Sequence, residues 1–198
     1  MKKIELIYRE ILYNATEKGK FELTQSELSK KFGLSLSVVN AAVKKLEAIG
    51  AVKILPRSFK IVDLKKALYY WASIRNFNKD ILFKARVEMP VREIERNMPN
   101  LMLTAYSAYK FRFNDVPADY SEVYAYADEG ELELIKKRFG LDEKNKSSKN
   151  PNLFVLKKDA FIEKYGKIPI VQIFTDLWNL KEWYAQEFVK GFEQRLNL

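Results

Sequence analysis

Residues Leu23–Ile54 read LTQSELSKKFGLSLSVVNAAVKKLEAIGAVKI, and the first third of the chain is decided there. Thr24 is followed three residues later by Glu27, a capping box in which each side chain satisfies an amide at a helix start. Leu28 and Phe32 follow at helical spacing, and Gly33 stands where a glycine commonly ends a helix. Ser35 is a good N-cap for a second helix. Val39, Ala42, Val43 and Leu46 make its buried face, with Ile49 expected to close the last turn before Gly50. Beyond Gly50, Val52 and Ile54 alternate with Ala51 and Lys53. Pro56–Ser58 make a turn, and Phe59–Asp63 return as the second arm of a hairpin. Upstream, Ile4, Ile7, Tyr8, Ile11, Leu12 and Ala15 form one helical stripe that Gly19 stops, and Phe21 and Leu23 alternate as in a short strand.

Helix, short strand, helix, turn, helix and hairpin in this order, within roughly sixty residues, resemble the winged helix-turn-helix families of prokaryotic regulators. Residues 1–63 are therefore expected to be a winged helix-turn-helix DNA-binding domain, with double-stranded DNA as partner and able to bind it alone. The outward face of the second helix of the motif carries Leu36, Ser37, Asn40, Ala41, Lys44 and Lys45. Direct base reading usually takes Arg on guanine or Asn and Gln on adenine. Here Asn40, Ser37 and Lys44 are the residues that reach toward base edges, and Leu36 suits a thymine methyl. Lys44, Lys45, Arg57 and Lys60 suit phosphates. Such a helix reads modestly, leaning on A·T pairs, DNA shape and the wing. The plainer alternative is a packing module that contacts protein.

Composition points the same way. The chain has 198 residues, 47% hydrophobic and 14% aromatic, enough to bury a core. Net charge is +9. Residues 1–63 hold twelve Lys/Arg against seven Asp/Glu, so +5 of that total sits in less than a third of the chain. That density favours a polyanionic partner. There is no Cys and no His. Disulfides, thiol catalysis, thiolate or imidazole metal ligation and every Ser-His triad are excluded. No apolar run approaches the roughly 18 residues of a membrane span, and charges interrupt any apolar signal core at the start. The expectation is a cytoplasmic protein with no membrane partner and an open oligomeric state, a homodimer included.

Residues 64–198 are expected to form a second, mixed α/β domain, making the fold class α+β. Leu64, Leu68, Trp71 and Ala72 lie on one face of a connecting helix. Val91–Met98 reads as a short helix with Pro90 at its first position. Strands are expected at NLMLTAY, EVYAYAD, LFVLKK and within IPIVQIFTDLW. Helices are expected at SAYKFRF, entered through Ser107, at EGELELIKKRFG, and at NLKEWYAQEFVKGFEQRL with Asn179 and Glu182 as capping pair. DAFIEKYG reads as a helical turn capped by Asp159. LDEKNKSSKNPN is polar and suits a mobile loop. Tyr184, Phe188 and Phe192 recur every four residues, an aromatic stripe read as core.

The phosphate-binding motifs GxxxxGK[ST] and GxGxxG and the GxSxG elbow are missing. VEMPVREIERNMPNLMLTAYSAYKFRF, PADYSEVYAYAD, NLFVLKKD and VQIFTDLWNLKEWYAQEF resemble the archaeal branch of the AbiEi-type antitoxin family. The resemblance spans essentially the whole chain. It implies a winged helix joined to a domain related in fold to nucleotidyltransferases. It also implies promoter binding, and a type IV antitoxin that neutralises a nucleotidyltransferase-type toxin without a tight complex. Active nucleotidyltransferases place a Gly-Ser step before a D-x-[DE] pair that holds two Mg²⁺ ions. The corresponding LTAYSAYKF has no Gly before Ser107 and no such pair after it. Glu93/Glu95, Glu129/Glu131 and Glu131/Glu133 follow no Gly-Ser. Asp115, Asp119, Glu122 and Asp128 read as solvated loop carboxylates. No catalytic residue, metal ligand or cofactor is therefore expected. The competing readings are an enzyme acting on nucleotides or RNA through loop carboxylates, and a protein-interaction adaptor.

Overall fold

The computed structural model describes residues 1–142 and 149–198, so half of the polar stretch expected as a mobile loop, residues 143–148, lies outside the described residues. The chain divides into two compact units. Unit 1 comprises residues 1–75, 169–175 and 192–198, and unit 2 comprises residues 76–168 and 176–191. The boundary expected after residue 63 is thus displaced, and unit 1 is assembled from three stretches of chain.

Unit 1 begins with α1 (Lys3–Glu17), whose Ile7, Tyr8, Ile11 and Leu12 are fully buried. β1 (Glu22–Leu23) leads into α2 (Gln25–Phe32). The capping box forms as the sequence predicts: the Glu27 amide donates to Thr24 Oγ1 at 3.1 Å, and the Thr24 amide donates to Glu27 Oε2 at 2.8 Å. Gly33 ends α2 at φ 62°, a left-handed conformation that glycine adopts without strain. α3 (Leu36–Ala48) starts from Ser35 and buries Val39, Ala42, Val43 and Leu46. Ile49 is the C-cap that closes α3 before Gly50, with 37% of its surface exposed. β2 (Val52–Ile54) and β3 (Phe59–Ile61) form the hairpin, and β1 completes an antiparallel sheet ordered β1-β3-β2. α4 (Leu64–Ile74) is capped by Asp63, which accepts from the Lys66 amide at 2.8 Å. It packs on α1, with Tyr70 edge-on to Tyr8 and Trp71 fully buried. The buried Glu5 carboxylate accepts from Arg75 Nη1 at 3.3 Å and Trp71 Nε1 at 3.4 Å. Buried Arg9 donates to Gln172 at 3.4 Å, and Glu17 accepts from the Ile170 amide at 2.8 Å, tying residues 169–175 to α1.

Unit 2 is built on a four-stranded sheet ordered β4-β7-β6-β5. Its strands are β4 (Ile81–Ala85), β5 (Met102–Thr104), β6 (Val123–Ala127) and β7 (Leu153–Lys157). β6 and β7 run parallel; the other pairs are antiparallel. β6 is buried at every position, which explains its run of Val, Tyr and Ala without a polar alternation. α5 (Val91–Asn97), α6 (Ala105–Phe113) and α7 (Glu129–Phe139) complete the middle of the chain. Phe83, Ala85, Ile94, Val123, Ala127, Ile135, Leu153 and Val155 form the core on one face of the sheet. Asn152 extends the β4–β7 ladder with its side chain, accepting from the Val87 amide at 2.7 Å and donating to its carbonyl at 2.9 Å.

Several elements differ from the sequence reading. IPIVQIFTDLW is not a strand: Ile170–Trp178 is helix α8. Its Ile170, Ile173, Phe174 and Leu177 are buried at helical spacing, and the Pro169 carbonyl accepts from the Gln172 and Ile173 amides. The fourth strand is β4, where Phe83 and Ala85 are buried and Lys84 exposed, an alternation that runs on through exposed Arg86 to buried Val87. α6 opens at Ala105 rather than through Ser107, and Ala105 takes a φ of 51°. α9 (Ala185–Leu196) begins six residues beyond Asn179, so Asn179 and Glu182 do not cap it. α5 stops at Asn97, with Pro90 at the cap.

Candidate nucleic-acid interface

α3 turns Ser37, Ala41, Lys44 and Ala48 directly away from its buried face, with Asn40 and Lys45 flanking them on opposite sides. Leu36 lies 55% exposed at the start of the helix, a large apolar side chain held in water. The Ser37 hydroxyl lies 2.9 Å from that of Ser35, whose oxygen caps the Val38 amide. Asn40 is half-buried, and its Nδ2 donates to Gln25 Oε1 at 3.2 Å. Gln25 is the first residue of α2. The two amides therefore form a pair that joins the helices. Sequence spacing could not show this, because a contact fifteen residues apart depends on how α2 and α3 cross.

The hairpin supplies the second part of the surface. Lys53 and Lys60 are register partners on β2 and β3, and both are exposed. Two like charges directly across a ladder repel each other, so this pairing suits an anion above it. Lys53 was absent from the residues proposed from sequence; its position opposite Lys60 was readable once the hairpin register was drawn. Glu22, the next partner of Lys60, has its carboxylate engaged by the Ser58 hydroxyl. Arg57 stands exposed in the turn, which the Leu55 amide closes on the Ser58 carbonyl at 2.9 Å. A cleft of about 210 Å³ lies between that turn and Thr24–Ser26 at the start of α2.

The cations of unit 1 differ in their partners, and among the described residues Lys3, Lys18 and Lys30 are exposed without a carboxylate. Lys20, Lys31, Lys65 and Lys66 each meet a carboxylate: Glu27, Glu10, Glu193 and Asp63. Among the described residues Lys44, Lys45, Lys53, Arg57 and Lys60 meet none, and all five are exposed on α3 and the hairpin. Such a surface can position a phosphate backbone through salt-sensitive contacts, with Ser37, Lys44 and the Gln25–Asn40 pair nearest to a base edge.

Several of the carboxylates considered for chemistry in unit 2 have structural partners. Asp128 caps α7, accepting from the Glu131 amide at 2.9 Å, and Glu131 returns the bond to the Asp128 amide at 2.8 Å. Both also meet Lys158. Glu95 is buried against Lys110 and Tyr120. Glu122 accepts from Tyr184. Asp115 and Asp119 lie in the segment between α6 and β6. Among the described residues no three His, Cys, Asp or Glu side chains gather as a metal site would need.

No helix among the described residues is long and apolar enough to cross a membrane. No curated protein and no solved structure matches the chain. Residues 9–53, from within α1 to β2, match the family of winged helix-turn-helix DNA-binding domains, and a domain of that kind supports a DNA-binding transcriptional regulator.

Proposed function

We propose that the protein is a cytoplasmic transcriptional regulator that binds its own promoter as a type IV antitoxin of the AbiEi kind. On this reading it pairs functionally with a nucleotidyltransferase-type toxin, and unit 2 is a non-catalytic, nucleotidyltransferase-like domain. The observation that carries the DNA-binding part is the five exposed cations that α3 and the hairpin bring together, none of which meets a carboxylate among the described residues. The antitoxin part is supported by the motifs of the second two thirds of the chain. The absence of catalysis is supported by the missing Gly-Ser step and by the engagement of Asp128, Glu131, Glu95 and Glu122 in caps, ion pairs and hydrogen bonds.

Fluorescence anisotropy of the full chain on its upstream DNA tests the first part. With about four phosphate contacts, log K should fall against log salt with a slope near −3 to −4. A flat response removes DNA binding. Co-expression with the product of an adjacent nucleotidyltransferase gene tests the second: rescue of growth is expected. Labelled nucleoside triphosphates, Mg²⁺ or Mn²⁺ and total RNA should yield no labelled product; transfer lost on Asp119→Asn or Asp128→Asn would make the enzyme reading the better one.

A further inference from the structure

Unit 2 contains a cavity of about 470 Å³ on the sheet face opposite its core, within the usual size of a small-ligand site. Register places Lys84, Phe154 and Tyr124 side by side across β4, β7 and β6 on that face. The Phe154 and Tyr124 rings stack with centroids 4.6 Å apart and planes 15° from parallel. Phe77 stands edge-on to Tyr124 at 5.7 Å. Tyr124 is buried and Phe154 only half-buried, so the floor keeps aromatic surface available to a ligand.

The walls are polar and divided by charge. Lys84, Arg86 and Lys181 line the cavity and are exposed, and among the described residues Lys84 and Lys181 have no carboxylate partner. Arg86 contacts Glu88 at 3.3 Å. Glu122 and Glu182 line the cavity as well. Glu122 is occupied by Tyr184, but Oε2 of Glu182 is buried and accepts no hydrogen bond. Burial first, then the nearby charges of Glu182 and Glu122, push the Tyr124 phenol well above its ordinary value of 10, as expected if both carboxylates stand at the Tyr124 end of the floor.

A ligand that satisfies all three features must stack, donate and carry negative charge. An apolar ring would leave the Glu182 oxygen and the lysines unmatched. Inorganic phosphate would leave the floor bare. A carboxylate metabolite without ring donors would leave Glu182 unsatisfied. We infer that this cavity binds a nucleotide unit, its base stacked on Phe154 with N–H donors toward Glu182 and its phosphate toward Lys84 and Lys181. The chemistry is the same for a free nucleoside monophosphate and for the phosphorylated end of a single strand. The site lies across β4, β7 and β6 rather than at the β5–α6 step, and it asks for no metal. It also stands independently of promoter binding, which is measured separately.

Calorimetry on the full chain tests this with the four 5′-nucleoside monophosphates, their nucleosides, inorganic phosphate and a 5′-phosphorylated single-stranded trinucleotide. At least one phosphorylated probe should saturate, with its nucleoside and phosphate alone at least about tenfold weaker. Saturation by a monophosphate marks the free nucleotide as the source; saturation by the trinucleotide alone marks a strand end. Lys84→Ala with Lys181→Ala should weaken binding roughly tenfold, as loss of charge-assisted contacts does. Phe154→Leu should weaken it by a similar factor through lost stacking. Glu182→Gln should change the order of preference among bases. Circular dichroism and promoter binding of each variant serve as fold controls. No saturation by any phosphorylated probe would overturn the inference. So would binding that the lysine and Phe154 changes leave intact in folded variants, or phosphate binding as tightly as the nucleotide.

Discussion

Asn40 carries two roles that pull against each other. As a reader it should offer its amide to adenine, yet its Nδ2 is committed to Gln25. In contact with DNA the two amides would act as one fixed pair, with Gln25 supplying hydrogen-bonding groups of its own. Asn40→Ala and Gln25→Ala should therefore both lower discrimination between cognate and random DNA. Arg57→Ala and Lys60→Ala should instead weaken both about equally, because phosphate contacts position without specifying. Competition gel shifts separate the outcomes, and an Asn40→Ala variant with full discrimination would remove α3 as the reader. A second residue-scale test lies at Ala105, held at φ 51° at the start of α6. A left-handed conformation costs a non-glycine residue about 1–2 kcal/mol, partly offset by the greater chain entropy glycine loses on folding. Ala105→Gly should stabilise the protein by about 0.5–1 kcal/mol in chemical denaturation. An unchanged or lower midpoint would show the strain to be relieved elsewhere.

At the scale of elements, legibility follows the range of the forces that shape them. α2 and α3 were readable because their signals are local: Thr24 with Glu27, Gly33 and Ser35 act within one turn of their own backbone. The Glu27 cap makes this testable. Its carboxyl is held below its ordinary value of 4.5, first by the Thr24 amide and then by Lys20. A depressed folded value means the contribution is present above the unfolded value and is lost as pH falls through the folded one. Glu27→Ala should lower the melting temperature at neutral pH, and the gap from the parent chain should narrow below about pH 4. A gap constant with pH would mean that the charge plays no part. α8 was misread because Ile170, Val171, Ile173 and Phe174 are β-formers in a short apolar run, where strand and buried helix share a composition. The recurrence of Ile170, Ile173, Phe174 and Leu177 was the signal that favoured a helix. β4 was passed over although Ile81, Phe83, Ala85 and Val87 alternate with Leu82, Lys84 and Arg86. The five cations of α3 and the hairpin were visible as residues, but their lack of partners was not, because Glu10, Glu27 and Glu193 choose their lysines only in the folded chain.

The whole molecule sets a condition on its DNA-binding part that sequence order hides. Residues 1–63 contain every element of the winged helix, and on sequence alone they should suffice. The structure surrounds α1 with more. Ala67, Leu68, Trp71 and Ala72 of α4 are all fully buried, and Glu5 finds its partners in Arg75 and Trp71. Residues 169–175 add Gln172 for Arg9 and the Ile170 amide for Glu17. Phe192 packs edge-on to Phe174, which meets Tyr69 in the same way. A chain cut after residue 63 exposes the apolar face of α1 and leaves Arg9 and Glu5 without these groups. Removing a fully buried Trp alone costs about 3–5 kcal/mol, a large part of the 5–15 kcal/mol that holds a domain folded. The 1–63 fragment should therefore melt without a cooperative transition and lose its preference for cognate DNA, while the full chain keeps both. A 1–75 fragment regains α4 but lacks residues 169–175 and 192–198, and should melt below the full chain. Calorimetric scans and gel shifts of the three chains check the order. Cooperative melting of the shortest at the parent temperature would show that the winged helix stands without the rest of unit 1.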